Sequence, residues 1–230
     1  MSPMTVTAPG VPSTAGTPGV YNRIASRYAT MHQRWLRHAG GPAQAAFEAA
    51  VVARLAAGDR MLDAGCGRGD LARHVLSARP SVVLTLLDAS AEMLAAARDL
   101  PVPRIDGSLL DLPFPSASFD LVSAAWSIEA TENPVQAISE LKRVLRPGGD
   151  LVVVFCSDAA PGSIAARILR RAVELRGTGR FLCTETVAAA LRTGTPGRLT
   201  HLRSFGPATA LLFESAPTDV TRHRPPGALP

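Results

Sequence analysis

The sequence from residue 60 to residue 71 reads Arg60-Met61-Leu62-Asp63-Ala64-Gly65-Cys66-Gly67-Arg68-Gly69-Asp70-Leu71. It passes from an apolar run to three glycines at alternate positions and then into an amphipathic run. This pattern predicts a strand at 60–64, a tight turn and a helix at 69–78, because glycine tolerates positive φ and admits a ligand close to the backbone. The free N–H groups at the start of that helix would face the ligand. The stretch therefore predicts a ligand site on a glycine turn.

Strands and helices continue to alternate after this stretch. Four more apolar runs predict strands, at 82–87, 104–106, 119–125 and 150–156, and the intervening segments 90–98 and 134–145 have helical patterns. Repeated βα units predict a Rossmann-like, doubly wound α/β sheet with right-handed crossovers. Two late strands, 199–204 and 209–215, are separated only by a turn at Gly206-Pro207, which favours an antiparallel hairpin. We expect a seven-stranded, mostly parallel sheet.

The remaining segments indicate one folded domain, 20–215, between two tails. Residues 1–19 and 216–230 are rich in proline, glycine and small polar residues without periodicity, which predicts disorder. Within the domain we expect an N-terminal helical lid, a cofactor-binding core, and a last part with acceptor-side helices and the C-terminal strands (20–58, 59–156 and 157–215). Four further helices are predicted, with a break between the first two at Gly40-Gly41-Pro42 (21–38, 43–56, 163–176 and 184–192).

Composition narrows the class of protein. A hydrophobic fraction of 47% over 230 residues fits one sizeable globular domain. There is no apolar run long enough to span a membrane and no secretory signal pattern, and the three cysteines are far apart, which predicts a reducing cytoplasm and no metal site. The net charge of +5 comes from arginine-rich segments at 21–60 and 163–180. Those segments are either solvated helix faces or contacts for an anionic acceptor or a nucleic acid.

The acids around the turn constrain the ligand. Asp88 follows the second strand, nineteen residues after Gly69, where its two oxygens could accept from both hydroxyls of a ribose. The glycine spacing is G-x-G-x-G, and Asp70 stands where a dinucleotide site has its third glycine. A carboxylate there opposes a pyrophosphate, and Asp63 adds negative potential. The pattern therefore favours an adenosine with a cationic end over NAD, FAD or a nucleoside triphosphate.

Five segments in order resemble one family, the class I S-adenosylmethionine-dependent methyltransferases of the ubiquinone/menaquinone-biosynthesis type. The glycine stretch 62–69 resembles their glycine motif, and Asp88-Ala89-Ser90 with Met93-Leu94 resembles their acidic second motif. The other three segments are Tyr21-Asn22-Arg23-Ile24-Ala25-Ser26-Arg27-Tyr28, Leu112-Pro113-Phe114-Pro115 with Ser118-Phe119-Asp120, and Glu140-Leu141-Lys142-Arg143-Val144-Leu145-Arg146-Pro147-Gly148-Gly149. The resemblance covers roughly residues 21–156.

The resemblance implies that S-adenosylmethionine is the cofactor and S-adenosylhomocysteine the product. It implies cofactor contacts from Tyr21, Tyr28, Asp63, Gly65, Cys66, Gly67, Asp88, Ala89, Met93, Ser108, Leu109 and Ala125. Asp63 and the Ala125 carbonyl would receive the ammonium, Asp88 the ribose hydroxyls and Leu109 the adenine edge. The family usually has Gly-Asp at Gly107-Ser108, so the adenine amino group loses a carboxylate partner, at a cost of about 1 kcal/mol.

Methyl transfer from a sulfonium is an in-line displacement that requires alignment above all. A general base is needed only for a protonated acceptor, and the candidates are Glu129 and His32. Glu129 could equally be a helix-start or solvent-facing carboxylate, and His32 a surface or packing residue. Trp35 and Trp126 are either core residues or walls of an acceptor pocket.

We expect a small-molecule acceptor, anionic or aromatic, methylated on oxygen, nitrogen or carbon, between the N-terminal helices and residues 157–183. A nucleic-acid methyltransferase is a second interpretation, although no N-P-P-[YF] tetrad follows the fourth strand. A third is a relative that binds the cofactor without transferring methyl. The sequence leaves open whether the protein is a monomer or a homodimer.

Overall fold

The computed structural model describes residues 17–158 and 180–217, together with residues 164, 167, 168, 171 and 175. The predicted tails and most of the predicted helix at 163–176 lie outside these residues, apart from their edges. At the first edge the prediction is wrong, since the first helix already begins at Thr17.

A single mixed sheet forms the centre of the described part. Its strands are β1 (Arg60–Ala64), β2 (Val83–Asp88), β3 (Arg104–Asp106), β4 (Phe119–Ala125), β5 (Leu145–Cys156), β6 (Gly197–Phe205) and β7 (Ala208–Ser215). Their order across the sheet is β3-β2-β1-β4-β5-β7-β6. The first five strands are parallel, whereas β7 runs antiparallel to both β5 and β6. The predicted fold class is confirmed, including the C-terminal hairpin.

Helices cover both faces of the sheet. They are α1 (Thr17–Trp35), α2 (Gly41–Arg54), α3 (Asp70–Ala78), α4 (Ala91–Ala96), α5 (Pro134–Val144) and α6 (Thr184–Arg192), with a 3-10 turn at Ile128–Ala130. The predicted break at Gly40-Gly41-Pro42 is wrong, because a π-helical turn, Leu36–Gly40, joins α1 directly to α2. Pro42 lies in the first turn of α2, where its missing N–H costs nothing. No helix in the described ranges is long and apolar enough to cross a membrane.

The strand β5 begins earlier than predicted. It starts at Leu145, immediately after α5, and not at the predicted residue 150, so Pro147, Gly148 and Gly149 belong to the strand. Leu145 already pairs with Phe119, and a register shift between Phe119 and Leu121 accommodates the irregular segment. The proline and glycines therefore lie inside a bulged strand.

Alternating strand residues fill two cores. On the face covered by α2, α3 and α4, side chains such as Met61, Leu86 and Val154 are fully buried. On the face covered by α5 and α6, the neighbouring residues Leu62 and Val153 are buried in a second cluster. Such burial on both sides is what makes parallel strands read as continuous apolar runs. It also fixes the carboxyl ends of β1, β2 and β4 at one edge of the sheet.

Candidate functional site

The glycine turn between β1 and α3 is hydrogen-bonded to the end of β2. The backbone N–H groups of Gly65 and Cys66 both donate to the Leu87 carbonyl, at 2.7 and 2.9 Å. Gly65 has φ +73° and Gly67 has φ +53°, values that residues with a Cβ rarely adopt. A Cβ on Gly65 would lie 2.3 Å from the Ser127 Cβ, so the turn and the end of β4 touch at this glycine. A Cβ on Gly67 would meet no atom within 4 Å, which leaves the backbone open on that side.

Asp88 joins this turn to the end of β2. One carboxylate oxygen, Oδ2, accepts from the Gly67 N–H at 2.7 Å, and Oδ1 accepts from the Ser90 N–H at 2.9 Å. Burial raises the pKa of Asp88, and the two backbone N–H groups oppose that rise. Each oxygen keeps a lone pair for a second donor. Asp88 therefore presents two neighbouring acceptor oxygens beside an open stretch of backbone.

Asp63 lies beneath the turn, 1% exposed. Its Oδ1 accepts from the Ser123 hydroxyl at 2.9 Å, whereas Oδ2 has no hydrogen-bond partner among the described residues. Burial raises its pKa to about 7, and the Ser123 hydrogen bond only partly offsets that effect. A buried carboxyl with one free oxygen is stabilised when a cation comes within reach.

The end of β2, the turn and the end of β4 enclose a cavity of about 360 Å³. It is lined by Tyr21, Tyr28, Gly65, Gly67, Asp88, Ala89, Ser90, Met93, Ser108, Leu109, Leu110, Ala125, Trp126, Ser127, Ala130, Thr131 and Glu132. The volume suits a small-molecule site. Its position, outside the carboxyl ends of the strands, is where open α/β sheets bind ligands.

One wall of the cavity is aromatic. Tyr21 and Tyr28 reach it from α1, with ring centroids 5.9 Å apart. Behind them the His32 ring stacks on Tyr28 at 5.4 Å, and its edge faces Trp126 at 6.2 Å. Burial lowers the pKa of His32, which keeps the imidazole neutral. Lid and sheet edge thus share one continuous aromatic contact.

Glu129 lies behind the wall that follows β4, and it is 3% exposed. Its Oε1 accepts from the Cys156 N–H at 2.9 Å, and no described residue bonds its Oε2. Burial raises the pKa of this carboxyl to about 7. The interpretation of Glu129 as a solvent-facing carboxylate is therefore wrong, since it is a buried group that holds the end of β5.

The outer rim of the cavity is tied to the segment before α6. The Arg180 guanidinium donates to the carbonyls of Thr131 and Glu132, the latter at 2.6 Å. Next to it, the Phe181 ring contacts Trp35 at 6.2 Å. These contacts join the loop after β4 and the N-terminal helices to residues 180 and 181, and an acceptor site between the N-terminal helices and residues 157–183 stays a prediction.

Ten of the predicted cofactor residues line the cavity together. They are Tyr21, Tyr28, Gly65, Gly67, Asp88, Ala89, Met93, Ser108, Leu109 and Ala125. Four predicted site residues do not line it. Asp63 and Cys66 are buried under the turn, and His32 and Glu129 lie behind the aromatic wall. Burial raises the pKa of the Cys66 thiol, as fits a packing residue.

Sequence reasoning missed several lining residues. Leu110, Thr131 and Glu132 follow the strands β3 and β4, so a rule that takes the whole loop after each strand would have found them. Ser90, part of the segment that resembles the acidic second motif, also caps α4, since its Oγ accepts from the Met93 N–H at 3.3 Å. It also donates to Asn22 on α1 at 2.6 Å, a contact with no signal in the sequence.

Comparisons with known proteins show the family of this chain. Residues 62–153 match the family described as "Methyltransferase domain". The malonyl-[acyl-carrier protein] O-methyltransferase of Erwinia billingiae is 36% identical over 197 residues, which cover 79% of this chain and 77% of that protein. The chain therefore belongs to the class I S-adenosylmethionine-dependent methyltransferases.

Within that class the chain is similar to proteins with different acceptors. The ubiquinone/menaquinone biosynthesis C-methyltransferase UbiE of Bordetella parapertussis is 37% identical over 150 residues, covering 61% of this chain. The chain spans only 57% of the length of that relative. Among solved structures, the [4+2]-cyclase SpnF is 21% identical with a TM-score of 0.68, covering 90% of this chain and 98% of SpnF. At that identity the likeness shows the fold alone.

Proposed function

We propose that this chain is an enzyme that transfers a methyl group from S-adenosylmethionine to a small, flat, aromatic acceptor and releases S-adenosylhomocysteine. The observation that carries the proposal is the bond between the Gly67 N–H and Asp88 Oδ2, which fixes a bare stretch of backbone beside a ribose-binding carboxylate. Family membership supports the cofactor. The acceptor rests on the lining of the cavity.

The residues present fit S-adenosylmethionine. The free Oδ2 of buried Asp63 would gain a cationic neighbour from the ammonium of the methionine part. The open side of Gly67 leaves room for the ligand against the backbone. Asp88 would hold the ribose hydroxyls, and Met93 and Leu109 would border the adenine. Each of these residues lies at or beneath the cavity and would take the role that the family resemblance implies for it.

The charge of the lining favours an aromatic acceptor over an anionic one. Among the described residues that line the cavity, Asp88 and Glu132 are the charged ones, and none is a lysine, an arginine or a histidine. Within this described lining, an anionic acceptor would meet like charge from two carboxylates and no cationic side chain. Three aromatic residues, Tyr21, Tyr28 and Trp126, instead line the cavity, and aromatic side chains pack favourably with a planar ring.

Catalysis would then depend on alignment. When bound, S-adenosylmethionine supplies an already activated methyl group, so the protein orients the acceptor and excludes water. Neither Glu129 nor His32 touches the cavity, and a general-base role for either stays a prediction. Their packing supports a positioning role behind the wall.

One observation favours a second candidate, a cofactor-binding protein with a non-methylating reaction. Ser108 replaces the family's acid, and its Oγ already accepts from the Leu110 N–H at 3.1 Å. A relative of the same fold is named as a [4+2]-cyclase. Cofactor binding and methyl transfer therefore need separate tests.

Calorimetry with S-adenosylhomocysteine tests the cofactor site. The wild type binds, and Asp88→Ala loses about 10- to 100-fold in affinity, since hydrogen bonds to a charged group contribute roughly 1.5–3 kcal/mol. Asp59→Ala is the matched control, because Asp59 also accepts a backbone bond, from Ala56 at 2.7 Å, but at the opposite edge of the sheet. Equal affinity of wild type and Asp88→Ala would contradict the ribose assignment.

A labelled-methyl assay against a panel of phenols, aromatic amines and quinols then tests the reaction. Labelled product from a flat acceptor is expected, and none from aliphatic carboxylates. A protein that binds S-adenosylhomocysteine but labels no member of the panel would favour the non-methylating candidate.

A further inference from the structure

Trp126, directly after β4, has an unusual backbone. Its φ is +53°, and apart from Ala117 it is the one non-glycine residue in the described ranges with positive φ. Its N–H donates to the Val154 carbonyl at 2.8 Å, and the residue is one of those that line the cavity. A bulky residue in this region of φ is strained, and strain persists only where the surroundings hold it.

A buried polar chain from α2 holds the indole. The Trp126 Nε1–H donates to Gln44 Oε1 at 2.6 Å, and Gln44 is 8% exposed. The Gln44 amide nitrogen in turn donates to Glu48 Oε1, one helical turn further on, at 2.7 Å. Because the Gln44 amide nitrogen is bonded to the Glu48 carboxylate, the amide oxygen is the atom that points at Trp126.

Packing closes the other sides of the indole. Trp35 meets it edge-on at 5.7 Å with an interplanar angle of 85°, and His32 meets it at 6.2 Å and 69°. Gly40 leaves the space for both indoles, since a Cβ there would lie 2.6 Å from Trp35 Nε1 and 2.8 Å from Trp126 Cη2. These contacts thus hold the indole in one position, and Trp126 is one of the residues that line the cavity.

We propose that Trp126 is the specificity-determining wall for a planar acceptor, and that Gln44 is its positioning residue, aligned by Glu48. The assignment rests on the proposed function, because it concerns the acceptor side of the same cavity. Gln44 and Glu48 do not line the cavity, so they act through the angle at which Trp126 presents its face. Planar rings stack on such a face, whereas puckered rings of the same size lose that contact.

The first experiment measures how firmly the Trp126 indole is held in its position. The chain has two tryptophans, so Trp35→Phe leaves Trp126 as the sole indole. In that background we expect Gln44→Met to speed hydrogen exchange of the indole N–H at least tenfold and to shift the Trp126 emission. Glu48→Gln keeps an acceptor oxygen and is expected to behave as the parent, whereas Glu48→Met lies between. Gln33→Met, the same change at an exposed residue of α1, is the matched control.

The second experiment reads specificity, with 2-naphthol and decahydro-2-naphthol as flat and puckered probes of one skeleton. Calorimetry on the complex with S-adenosylhomocysteine should give at least tenfold tighter binding of 2-naphthol by the wild type. Gln44→Met should reduce that preference to twofold or less while the affinity for S-adenosylhomocysteine changes less than twofold. Glu48→Met gives the same readouts if Gln44→Met does not fold.

Three results overturn the inference: unchanged indole exchange in Gln44→Met, the same probe preference in that variant, or no preference in the wild type, including binding of neither probe. Failure of the wild type to bind S-adenosylhomocysteine is a different outcome. It refutes the proposed function, and the indole exchange of the ligand-free protein still decides whether Gln44 positions Trp126.

Discussion

The two halves of the cavity are built in different ways. After the roles proposed above, we call the glycine turn with the end of β2 the cofactor half, and the aromatic wall of α1 with the loop after β4 the acceptor half. In the first half, backbone groups bond to the strand next door, as Gly65 and Cys66 do to Leu87. In the second, side chains from distant elements meet, as Trp126 does with Gln44, 82 positions away.

Because of this difference, we expect substitutions of side chains to change the shape of the acceptor half more than that of the cofactor half. A site held by backbone hydrogen bonds tolerates many side chains, provided that glycine stays where φ is positive. A site held by side-chain packing changes its shape with each substitution in the elements behind it. The cofactor half therefore suits a ligand common to a family, and the acceptor half suits a ligand particular to one member.

The largest expected effect comes from Gly65→Ala, because a methyl group on this residue would overpack the contact between the two halves. Gly65→Ala places a Cβ 2.3 Å from the Ser127 Cβ at φ +73°. We expect a loss of about 2–4 kcal/mol in the free energy of unfolding, from overpacking plus backbone strain. Affinity for S-adenosylhomocysteine should fall about 100-fold or more, because the turn must move. Chemical denaturation and calorimetry measure the two losses.

Two further variants divide that effect into its parts. Gly58→Ala has the same backbone problem, at φ +85°, but its Cβ would meet nothing within 4 Å, so it should cost only about 1 kcal/mol. Gly65→Ala combined with Ser127→Gly removes the clash and should recover most of the affinity. If the double variant binds no better than Gly65→Ala, the contact between the halves is not what limits binding.

The second expected effect uses the buried carboxyls Asp63 and Glu129, one in each half and each with a pKa of about 7. Below pH 7 Asp63 must lose a proton to meet an ammonium, so affinity for S-adenosylhomocysteine should rise about tenfold from pH 6 to pH 8. Asp63→Asn should abolish the rise, and Glu129→Gln should keep it. If Glu129→Gln abolished the rise and Asp63→Asn kept it, the assignment of the ammonium to Asp63 would be wrong.

The free energy of unfolding should depend on pH in the same way through Asp63 and through Glu129. A carboxyl whose folded pKa is raised contributes stability that is present below its unfolded pKa near 4 and lost as pH rises through about 7. Between pH 5 and pH 8 each carboxyl should lower the free energy of unfolding of the wild type by about 1–3 kcal/mol. Asp63→Asn and Glu129→Gln should each make the decline shallower, measured by denaturation at several pH values, and the exposed Glu92→Gln should not.

The smallest expected effect restores the family's acid in the cofactor half. Ser108→Asp should tighten S-adenosylhomocysteine binding by about fivefold, since a carboxylate for the adenine amino group contributes about 1 kcal/mol. The new side chain can still accept from the Leu110 N–H, as Ser108 does. Ser108→Asn adds a similar volume without the charge and should gain less. Weaker binding by Ser108→Asp would contradict the placement of the adenine.

The same contrast explains how far the sequence could be interpreted. The fold class and most of the cofactor half followed from local patterns, because strand, turn and helix start lie within twelve residues and the glycines mark the turn. The acceptor half depends on contacts between residues far apart, so no pattern in the sequence marked Gln44 as part of it. Glu129 was expected to face solvent because carboxylates are rarely buried, whereas the 3-10 turn directs it inward, against the Cys156 N–H.

The position of β7 in the sheet has a consequence for how the protein is made. Residues 208–215 are synthesised after β6 yet lie between β5 and β6, paired with β5 from Asp150–Glu214 to Cys156–Ala208. Until the ribosome has released them, the apolar run 151–155 forms a bare edge, and such edges recruit other chains. The nascent chain therefore completes its sheet only after residue 215 has emerged. A truncation before residue 208 would yield an aggregating polypeptide.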